Sequence, residues 1–592
     1  MTGYQAPIAD QQFILHRVLK ISESHLEGFS DLDADTTGAI LAEAGRLAEG
    51  VLAPLNATGD REGCRLDNGI VRTPEGFRDA YAQMSSNGWV GLHGNPDFGG
   101  QGMPNVIHCA VGEMFAGANM AFNICQGLTY SAQLAIDSHG SASQKQTYLP
   151  PLLEGRWSGT MNLTEPQCGT DLGLIRTRAE AADDGSYRIT GSKIWISFGD
   201  HDLTENIVHL VLARMPDAPP GTKGLSLFIV PKFLPGVGGG LAARNAVTCT
   251  GLERKMGLHG SATCAMSYDG ATGWLMGAPN QGMRAMFTMM NDARLNVGLQ
   301  GVAIGHTAYS GARNFARERL QGRAFGSPAN PAGPADPIIV HPDVRRGLLD
   351  QKSLVEGGRA FIMWGALLLD RARRTNEAEA EALVSLLTPV IKGFLTDKGV
   401  ETTLLAQQTM GGMGYVTDGG AEQHVRDARV TTIYEGTNGV QSLDLVGRKL
   451  PKDGGRAIMG FFGLVQAFID ETAGDEEFKT DFLDPLDAAT EDLKGAATWF
   501  MANAMKAPEN ALAGSYDFLH LFGHVCLGYL WARMAHAASQ DLISGTGDPA
   551  FLHAKLATGR YFMRRQLPAT RLHRARIESG AESVMALEDD AF

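Results

Sequence analysis

The hydrophobic positions change their period along the chain of 592 residues. Up to about residue 153, apolar residues recur at helical spacing, for example over 10–32, 36–56 and 74–87. From about residue 158 the apolar runs become short and rich in β-branched residues, with Gly, Pro, Asp and Asn between them. This change predicts a helical domain followed by a β domain.

Helical spacing returns at Gly282 and continues to about Arg448, apart from a linker rich in proline and glycine at 326–337. A second boundary is expected at 449–456, before further helices over 457–577. The predicted fold is therefore α+β, in four parts: an N-terminal helical domain (1–157), a central β domain (158–276), a helical bundle (277–450) and a C-terminal helical extension (451–592).

Charge and cysteine content narrow the class of protein. The formal net charge is -14, which argues against nucleic acid as the main partner. One stretch near the C-terminus is basic, and we interpret it as a solvated helix face. Its cationic residues are Lys555, Arg560, Arg564, Arg565, Arg571, Arg574 and Arg576.

The seven cysteines form no CxxC pair, as expected of free thiols in a reducing compartment, and we expect no metal site. The N-terminus lacks a basic-then-apolar signal pattern, and no apolar run is long enough to cross a membrane. The sequence thus predicts a cytoplasmic protein.

Two candidate sites lie in the predicted β domain. In the run MNLTEPQCGTD (161–171), a strand ends in a turn with many hydrogen-bonding groups, which suits the carbonyls and ring nitrogens of a flat heterocycle. On the next strand, Trp195 and Ser197 face the same side, where an indole and a hydroxyl can contact an aromatic cofactor. An ordinary turn and a core tryptophan explain the same residues.

Two further candidates lie in the predicted bundle. The glycines of QTMGGMGY (408–415) expose backbone N–H groups to which a phosphate can bind. Arginines in RLQGRAFG (319–326) can bind a diphosphate in bidentate fashion. The alternatives are a plain turn and a helix end stabilised by cations.

The last candidate is Glu435. A β-like run at 430–434 leads into Glu435-Gly436-Thr437-Asn438, and Thr437 or Asn438 can cap the helix that follows. Glu435 would then lie at a strand-to-helix junction, a common place for a side chain that projects into a cleft. The local pattern alone favours a carboxylate stabilised by the helix N-terminus.

Taken in order, these motifs resemble the acyl-CoA dehydrogenase family over about 80–450, most strongly in YEGT preceded by GGMGY and RDARV. The family has an N-terminal helical domain, a β domain and a C-terminal four-helix domain, in the order predicted above. The resemblance implies that the protein is an FAD-dependent enzyme that introduces an α,β double bond into an acyl-CoA thioester.

The resemblance also implies residue roles. Glu435 matches the catalytic base, while Tyr434 matches a residue that lines the acyl site and Arg294 one near the CoA moiety. The residues that match FAD contacts of the family are Leu163, Thr164, Thr170, Trp195, Ser197, Thr437 and one of Arg319 and Arg323. Gln408, Gly411 and Gly412 match the segment that binds the ADP half of FAD, which a neighbouring subunit usually supplies. The sequence departs from many relatives at Met161 and at Gly439. It also departs around Arg323, and for that reason either Arg319 or Arg323 can take the FAD-binding role.

The length after residue 450 resembles a long-form subgroup. Its members oxidise 3-methylmercaptopropionyl-CoA to 3-methylthioacryloyl-CoA in dimethylsulfoniopropionate breakdown, or fatty acyl-CoAs in β-oxidation. The resemblance implies electron-transfer flavoprotein as electron acceptor and a homodimer, with a tetramer left open. Three alternatives remain: an acyl-CoA oxidase, a flavin-bearing DNA-associated protein and a non-catalytic acyl-CoA binder.

Overall fold

The computed structural model describes residues 3–236, 240–504 and 506–592. Contacts divide the chain into two compact units. The unit that we call the β unit comprises Ala44–Pro104 and Met114–Asn296. The helical unit comprises Met1–Glu43, Asn105–Glu113 and Val297–Phe592. The C-terminal extension and the N-terminal 43 residues therefore both pack with the bundle.

Helices precede the sheet, as the apolar spacing predicts. The helix predicted over 10–32 is broken by a π-helical turn at 14–18 and a 3-10 turn at 21–23. The helix predicted over 36–56 instead continues through a π-helical turn at 48–52 into the helix that ends at Glu62. The α-helices are Ile8–Phe13, Ala34–Leu47, Pro54–Glu62, Phe77–Ser86, Asn105–Ala118, Met120–His139 and Ala142–Leu153. Ser141 begins the last of these with a capping box, in which its side chain accepts from the N–H of Gln144 and the Gln144 side chain accepts in return.

Eleven strands are found among the described residues. Tyr187–Ser197 is a long strand of 11 residues. The strands are β1 (Arg65–Asp67), β2 (Ile70–Arg72), β3 (Trp157–Asn162), β4 (Arg178–Ala181), β5 (Tyr187–Ser197), β6 (Asn206–Arg214), β7 (Leu225–Pro231), β8 (Phe233–Pro235), β9 (Leu241–Arg244), β10 (Val247–Leu252) and β11 (Thr263–Met276).

Seven strands form the main sheet of the β unit, in the order β10-β11-β5-β4-β6-β3. β7 pairs with both β6 and β11, so five of the strands close into a ring. β6 and β7 are apolar and almost wholly buried, which explains why they read as continuous runs rather than as alternating ones. The hydrophobic core of this unit contains Trp157, Leu210 and Ile229.

The remaining helices begin at Gly282, as the sequence predicts, and 326–337 is not helical. They are Gly282–Glu318, Pro342–Thr375, Ala378–Met410, Gly412–Tyr415, Ala421–Arg429, Asn438–Asp444, Arg456–Thr472, Glu476–Phe478, Asp484–Asn503, Pro508–Ser544, Pro549–Arg565 and Ala569–Glu578. Helix 508–544 is apolar on nearly every side and is largely buried within the helical unit, which accounts for its lack of a polar face. The predicted α+β class is therefore confirmed.

Candidate active site

The turn after β3 contains three of the predicted flavin contacts. Leu163 and Thr164 are half-buried and Thr170 is exposed. Glu165 holds this turn together, because its N–H and carbonyl both pair with Cys168 at 3.0 Å. Its carboxylate accepts from the Thr177 hydroxyl at 2.6 Å and from the Arg176 N–H at 2.7 Å. The turn is thus a fixed part of the β unit.

A buried ion pair connects this turn to strand β5. Lys193 Nζ lies 2.8 Å from Glu165 Oε1, and the two side chains are only 0% and 3% exposed. The same ammonium group donates to the Leu163 carbonyl at 2.9 Å. Burial opposes the carboxylate charge, yet Lys193 and Thr177 outweigh it and lower the pKa of Glu165 to about 2. Burial lowers the pKa of Lys193 despite this partner.

Trp195 stands on a bulge in β5. Ile196 pairs with Cys264 and Lys193 with Met266, so two residues of β5 face one residue of β11. At this bulge Trp195 takes a left-handed φ of 58°, and its indole is 61% exposed. A left-handed conformation strains any residue with a Cβ atom. The indole is therefore not part of the core, and its ring is accessible to a ligand.

Hydrogen bonds bring the predicted ring-binding residues together within the β unit. The N–H of Ile194 donates to the Thr164 carbonyl at 3.0 Å, and the Thr160 hydroxyl donates to the Ser197 carbonyl at 2.8 Å. An exposed indole beside a hydroxyl and a turn rich in hydrogen-bonding groups fits a flat heterocycle such as the isoalloxazine of FAD.

The approach to Glu435 is not a strand, so the prediction for 430–434 is wrong. Val430–Thr432 is a 3-10 turn that continues the helix Ala421–Arg429. The backbone of this run bonds to itself, because the N–H groups of Ile433 and Tyr434 donate to the Val430 carbonyl at 2.9 and 3.1 Å. The Thr431 and Thr432 hydroxyls also donate to preceding carbonyls, at 2.7 and 3.1 Å. Glu435 therefore lies between two helices.

Glu435 is half-buried and has a left-handed φ of 56°, followed by Gly436 at 86°. Thr437 caps the next helix, Asn438–Asp444, because its hydroxyl accepts from the Val440 N–H at 3.3 Å. Gln441, on that helix, donates to the carbonyls of both Glu435 and Gly436 at 3.1 Å. The backbone on each side of the carboxylate is therefore held in one conformation.

A buried lysine completes this support, and sequence reasoning missed it. Lys392 Nζ donates to the Gly436 carbonyl and to Asn438 Oδ1, both at 2.8 Å. Asn438 Nδ2 contacts Asp397 Oδ1 at 2.8 Å and Thr396 Oγ1 at 3.0 Å. The only signal in the sequence is a lysine within the apolar run VIKGF. We call Lys392, Asn438 and Asp397 the loop support.

Tyr434 also lies in the helical unit, where its hydroxyl donates to Gln300 Oε1. Burial and the neighbouring Glu435 raise the pKa of this phenol well above its ordinary value, and the Gln300 bond only partly opposes them. The hydroxyl is therefore neutral at every physiological pH and acts as a donor.

The predicted ADP-binding segment follows the helix Ala378–Met410. Gly411 has a left-handed φ of 58°, and a Cβ atom added at Gly411 or Gly412 would meet nothing within 4 Å. Gln408 is exposed, as are both glycines. The Gly411 N–H donates to the Gln408 carbonyl at 3.1 Å, and the open space around both glycines lets a diphosphate approach the backbone.

The remaining predicted residues differ in their surroundings. Arg323 donates to the linker carbonyls of Gly333 at 2.6 Å and Asn330 at 2.9 Å, and lies 3.5 Å from Asp336. Arg319 is exposed just beyond a helix end. Arg294 is buried, in the part of the helix Gly282–Glu318 that belongs to the β unit. The structure thus engages Arg323 with its own loop, which favours Arg319 for a diphosphate.

The basic stretch near the C-terminus is in large part exposed, as its interpretation as a solvated face predicts: Arg564, Arg565, Arg571 and Arg576 are exposed, whereas Lys555 is buried. Lys555 is 1% exposed and lies 2.7 Å from Glu356. Arg560 and Arg564 both contact Asp481, at 2.5 and 2.7 Å. Lys555 is thus neutralised inside the helical unit, whereas the exposed arginines remain a solvated face with carboxylates beside some of them.

No group of three or more His, Cys, Asp or Glu able to hold a metal occurs in the described parts of the chain. Across 3–236, 240–504 and 506–592, no helix combines the length and the apolar character that a membrane span requires.

Family models match the chain along most of its length. They are the acyl-CoA dehydrogenase N-terminal domain at 35–156, its middle domain at 160–271 and its C-terminal domain at 280–450. An "Acetyl-CoA dehydrogenase C-terminal like" model matches 461–588.

Curated relatives of full length are similar to this chain. The 3-methylmercaptopropionyl-CoA dehydrogenase of Ruegeria pomeroyi is 43% identical, over 98% of this chain and 99% of that protein. The broad-specificity linear acyl-CoA dehydrogenase FadE5 of Mycobacterium tuberculosis is 36% identical, over 100% of both.

Solved structures show the same fold. Caenorhabditis elegans ACDH-11, in complex with C11-CoA, has a TM-score of 0.80 at 19% identity and covers 98% of this chain and 96% of its own. A chain from a study of the electron transferring flavoprotein of Acidaminococcus fermentans has a TM-score of 0.59 at 26% identity, over 70% of this chain and 98% of its own.

Proposed function

The chain belongs to the acyl-CoA dehydrogenase family, and from that premise we propose that it forms the α,β double bond of an acyl-CoA thioester with Glu435 as the base. The observation that carries this assignment is the geometry at Glu435. A half-exposed carboxylate stands on a left-handed residue whose neighbouring carbonyls are bound by Gln441 and Lys392. Backbone strain of this kind is typical of functional residues.

The enzyme depends on FAD, which when bound supplies the acceptor for the β hydride. We assign the flavin ring to Trp195, Ser197, Leu163 and Thr164, and the phosphates to Thr170, Thr437 and an arginine, with Arg319 preferred to Arg323. We assign the ADP half to Gln408, Gly411 and Gly412 of a neighbouring subunit. This last assignment implies a homodimer at least.

Glu435 acts as general base and takes the α proton of the thioester onto its carboxylate. Its own backbone N–H is the group that we expect to donate to the thioester carbonyl as negative charge develops there. Tyr434 lines the acyl site and Arg294 lies near the CoA moiety. The loop support holds the Glu435 backbone, so the carboxylate is oriented before substrate arrives.

For the substrate we propose 3-methylmercaptopropionyl-CoA, oxidised to 3-methylthioacryloyl-CoA in dimethylsulfoniopropionate breakdown. The proposal is supported by the Ruegeria relative, which carries that name at 43% identity over nearly the whole chain. Electron-transfer flavoprotein is the proposed acceptor. This choice is supported by the similarity of this chain to one in a solved structure whose description concerns the electron transferring flavoprotein of Acidaminococcus fermentans.

A second candidate is a fatty acyl-CoA dehydrogenase, which the broad-specificity mycobacterial relative favours. The DNA-associated alternative is disfavoured by the net charge of -14, and part of the basic stretch is paired with carboxylates, at Lys555, Arg560 and Arg564. An oxidase would differ in its reactivity with oxygen rather than in the residues described above.

Anaerobic flavin bleaching tests the substrate. The holoenzyme is mixed without oxygen with 3-methylmercaptopropionyl-CoA, butyryl-CoA, octanoyl-CoA or palmitoyl-CoA, and the loss of flavin absorbance is timed. We expect the fastest bleaching with 3-methylmercaptopropionyl-CoA and slow reoxidation in air unless electron-transfer flavoprotein is added. Faster bleaching by a fatty acyl-CoA would contradict the substrate proposal, and bleaching by none of them would contradict the reaction.

A further inference from the structure

The Asp397 carboxylate joins the loop support to the C-terminal extension. Its Oδ1 accepts from Asn438 Nδ2 at 2.8 Å. Its Oδ2 accepts from the Tyr516 hydroxyl at 2.5 Å and from His520 Nε2 at 3.0 Å. Tyr516 and His520 lie one turn apart on the helix Pro508–Ser544, which belongs to the extension. Thus the Asp397 carboxylate contacts both Asn438, close to Glu435, and the C-terminal extension (451–592).

The path from Asp397 to Glu435 is short and buried. Asn438 bonds Asp397 through its amide nitrogen and Lys392 through its amide oxygen. Lys392 in turn donates to the Gly436 carbonyl, which follows Glu435 directly. Each member has its hydrogen-bonding partners in place, and we therefore expect a displacement of Asp397 to change the geometry at Gly436.

The extension side of this path is also fixed. His520 is 8% exposed and lies over the Tyr516 ring, with centroids 4.6 Å apart. His520 also stacks with His573, with ring centroids 5.7 Å apart, and His573 Nδ1 lies 2.8 Å from Asp517 Oδ1. Burial opposes the charge on Asp397, but bonds from His520 and Tyr516 outweigh it and hold its pKa below the ordinary value. These bonds favour an ionised Asp397, which accepts from donors on both sides.

We propose that Tyr516 and His520 are positioning residues that fix the Glu435 loop through Asp397, Asn438 and Lys392. The proposal rests on Glu435 as the catalytic base. It gives the C-terminal extension a role in the reaction that its sequence does not indicate. Neither side chain is expected to touch the substrate, because each acts through Asp397.

Such a role affects the rate of proton removal more than the binding of substrate. A shift of a base by about 1 Å can lower a rate by about 10²-fold, and loss of one of three donors to Asp397 should shift it less. We therefore expect kcat to fall on the order of 10-fold, with KM changed by less than about 2-fold.

The test compares Tyr516→Phe, His520→Ala and His520→Gln in the FAD-loaded enzyme. Tyr516→Phe removes one oxygen atom, so it keeps the proposal testable if His520→Ala fails to fold. His520→Gln keeps an N–H donor for Asp397 and should recover most of the lost rate. Tyr561→Phe is the matched control, because it removes another tyrosine–aspartate bond of the extension, 2.7 Å from the Tyr561 hydroxyl to Asp350 Oδ1.

Turnover is measured with 3-methylmercaptopropionyl-CoA and butyryl-CoA, each unlabelled and deuterated at the α carbon. We expect lower kcat, unchanged KM, a larger α-deuterium isotope effect and normal FAD content for Tyr516→Phe and His520→Ala, with Tyr561→Phe like the wild type. An unchanged kcat and isotope effect in both variants would overturn the proposal, as would equal losses in Tyr561→Phe. Glu435→Gln is measured alongside: if it alone loses turnover, the base assignment stands and the positioning role fails, whereas if it keeps turnover the base assignment itself fails.

Discussion

The buried pair of Glu165 and Lys193 gives the sharpest prediction for the flavin-binding turn. Glu165→Gln keeps the shape of the side chain but removes its charge. Lys193 is then left with an unpaired ammonium group at 0% exposure, 2.9 Å from the Leu163 carbonyl. The turn that contains Leu163 and Thr164 should loosen, because Glu165 also binds the N–H of Arg176.

The structure sets the size of this effect. A pKa lowered from 4.5 to about 2 corresponds to about 3 kcal/mol in favour of the charged carboxylate. Removal of one partner from a buried ion pair generally destabilises a protein by about 3–5 kcal/mol, which agrees with the figure from the pKa shift. In a unit of about 240 residues each kcal/mol lowers the melting temperature by about 2–4 °C. We therefore expect a loss of about 6–12 °C.

The assay is thermal release of FAD, followed by flavin fluorescence. Lys193→Met should cost a similar amount, whereas the double variant Glu165→Gln/Lys193→Met should recover several degrees, because no charge is left unpaired. Arg65→Gln is the control: its ion pair with Glu62 is exposed and should change the melting temperature by less than about 2 °C. A single variant within 2 °C of the wild type, or a double variant that loses the sum of the two, would refute this reasoning.

Three further predictions concern the same elements. The pKa of the Glu165 carboxylate is lowered, so its contribution to the stability of the fold is complete above pH 4.5 and is lost as the pH falls toward about 2. The FAD-release temperature should therefore drop over that pH range more steeply in the wild type than in Glu165→Gln. Trp195→Gly removes about 1–2 kcal/mol of left-handed strain, so calorimetry of the apoprotein should show equal or higher stability while FAD affinity measured by fluorescence falls. Gly411→Ala adds strain of about 1–3 kcal/mol at a φ of 58° and should lower the melting temperature of the apoprotein, whereas Gly412→Ala, which lacks a positive φ, should not.

The parts of the site that were predictable from the sequence are those determined by residues close together in the chain. Thr437 caps its helix because the cap needs only a hydroxyl three residues before an N–H. The helix start at Gly282 and the turn after β3 follow from apolar spacing and turn residues in the same way. The α+β class follows from the change of period, which is a property of long segments.

The sequence misled where short runs have two local solutions. Residues 430–434 are β-branched and aromatic, but threonine hydroxyls can also bond to the preceding turn, and no strand lies beside them. The left-handed Trp195 was not predictable, because no residue preference places tryptophan there; pairing of β5 with β11 imposes it. The contacts of Asp397 with Tyr516 and His520 join residues more than a hundred positions apart, and no local pattern encodes such a pairing.

Glu435 is the residue on which the proposed reaction depends, and Glu435→Gln tests it most directly. The amide matches the carboxylate in size, so FAD content and the spectral change on binding 3-methylmercaptopropionyl-CoA should stay normal. Because the base is lost, anaerobic flavin bleaching should slow by about 10²–10⁴-fold. Bleaching within a few-fold of the wild type, in a variant with normal FAD content, would contradict the assignment of Glu435 as the base.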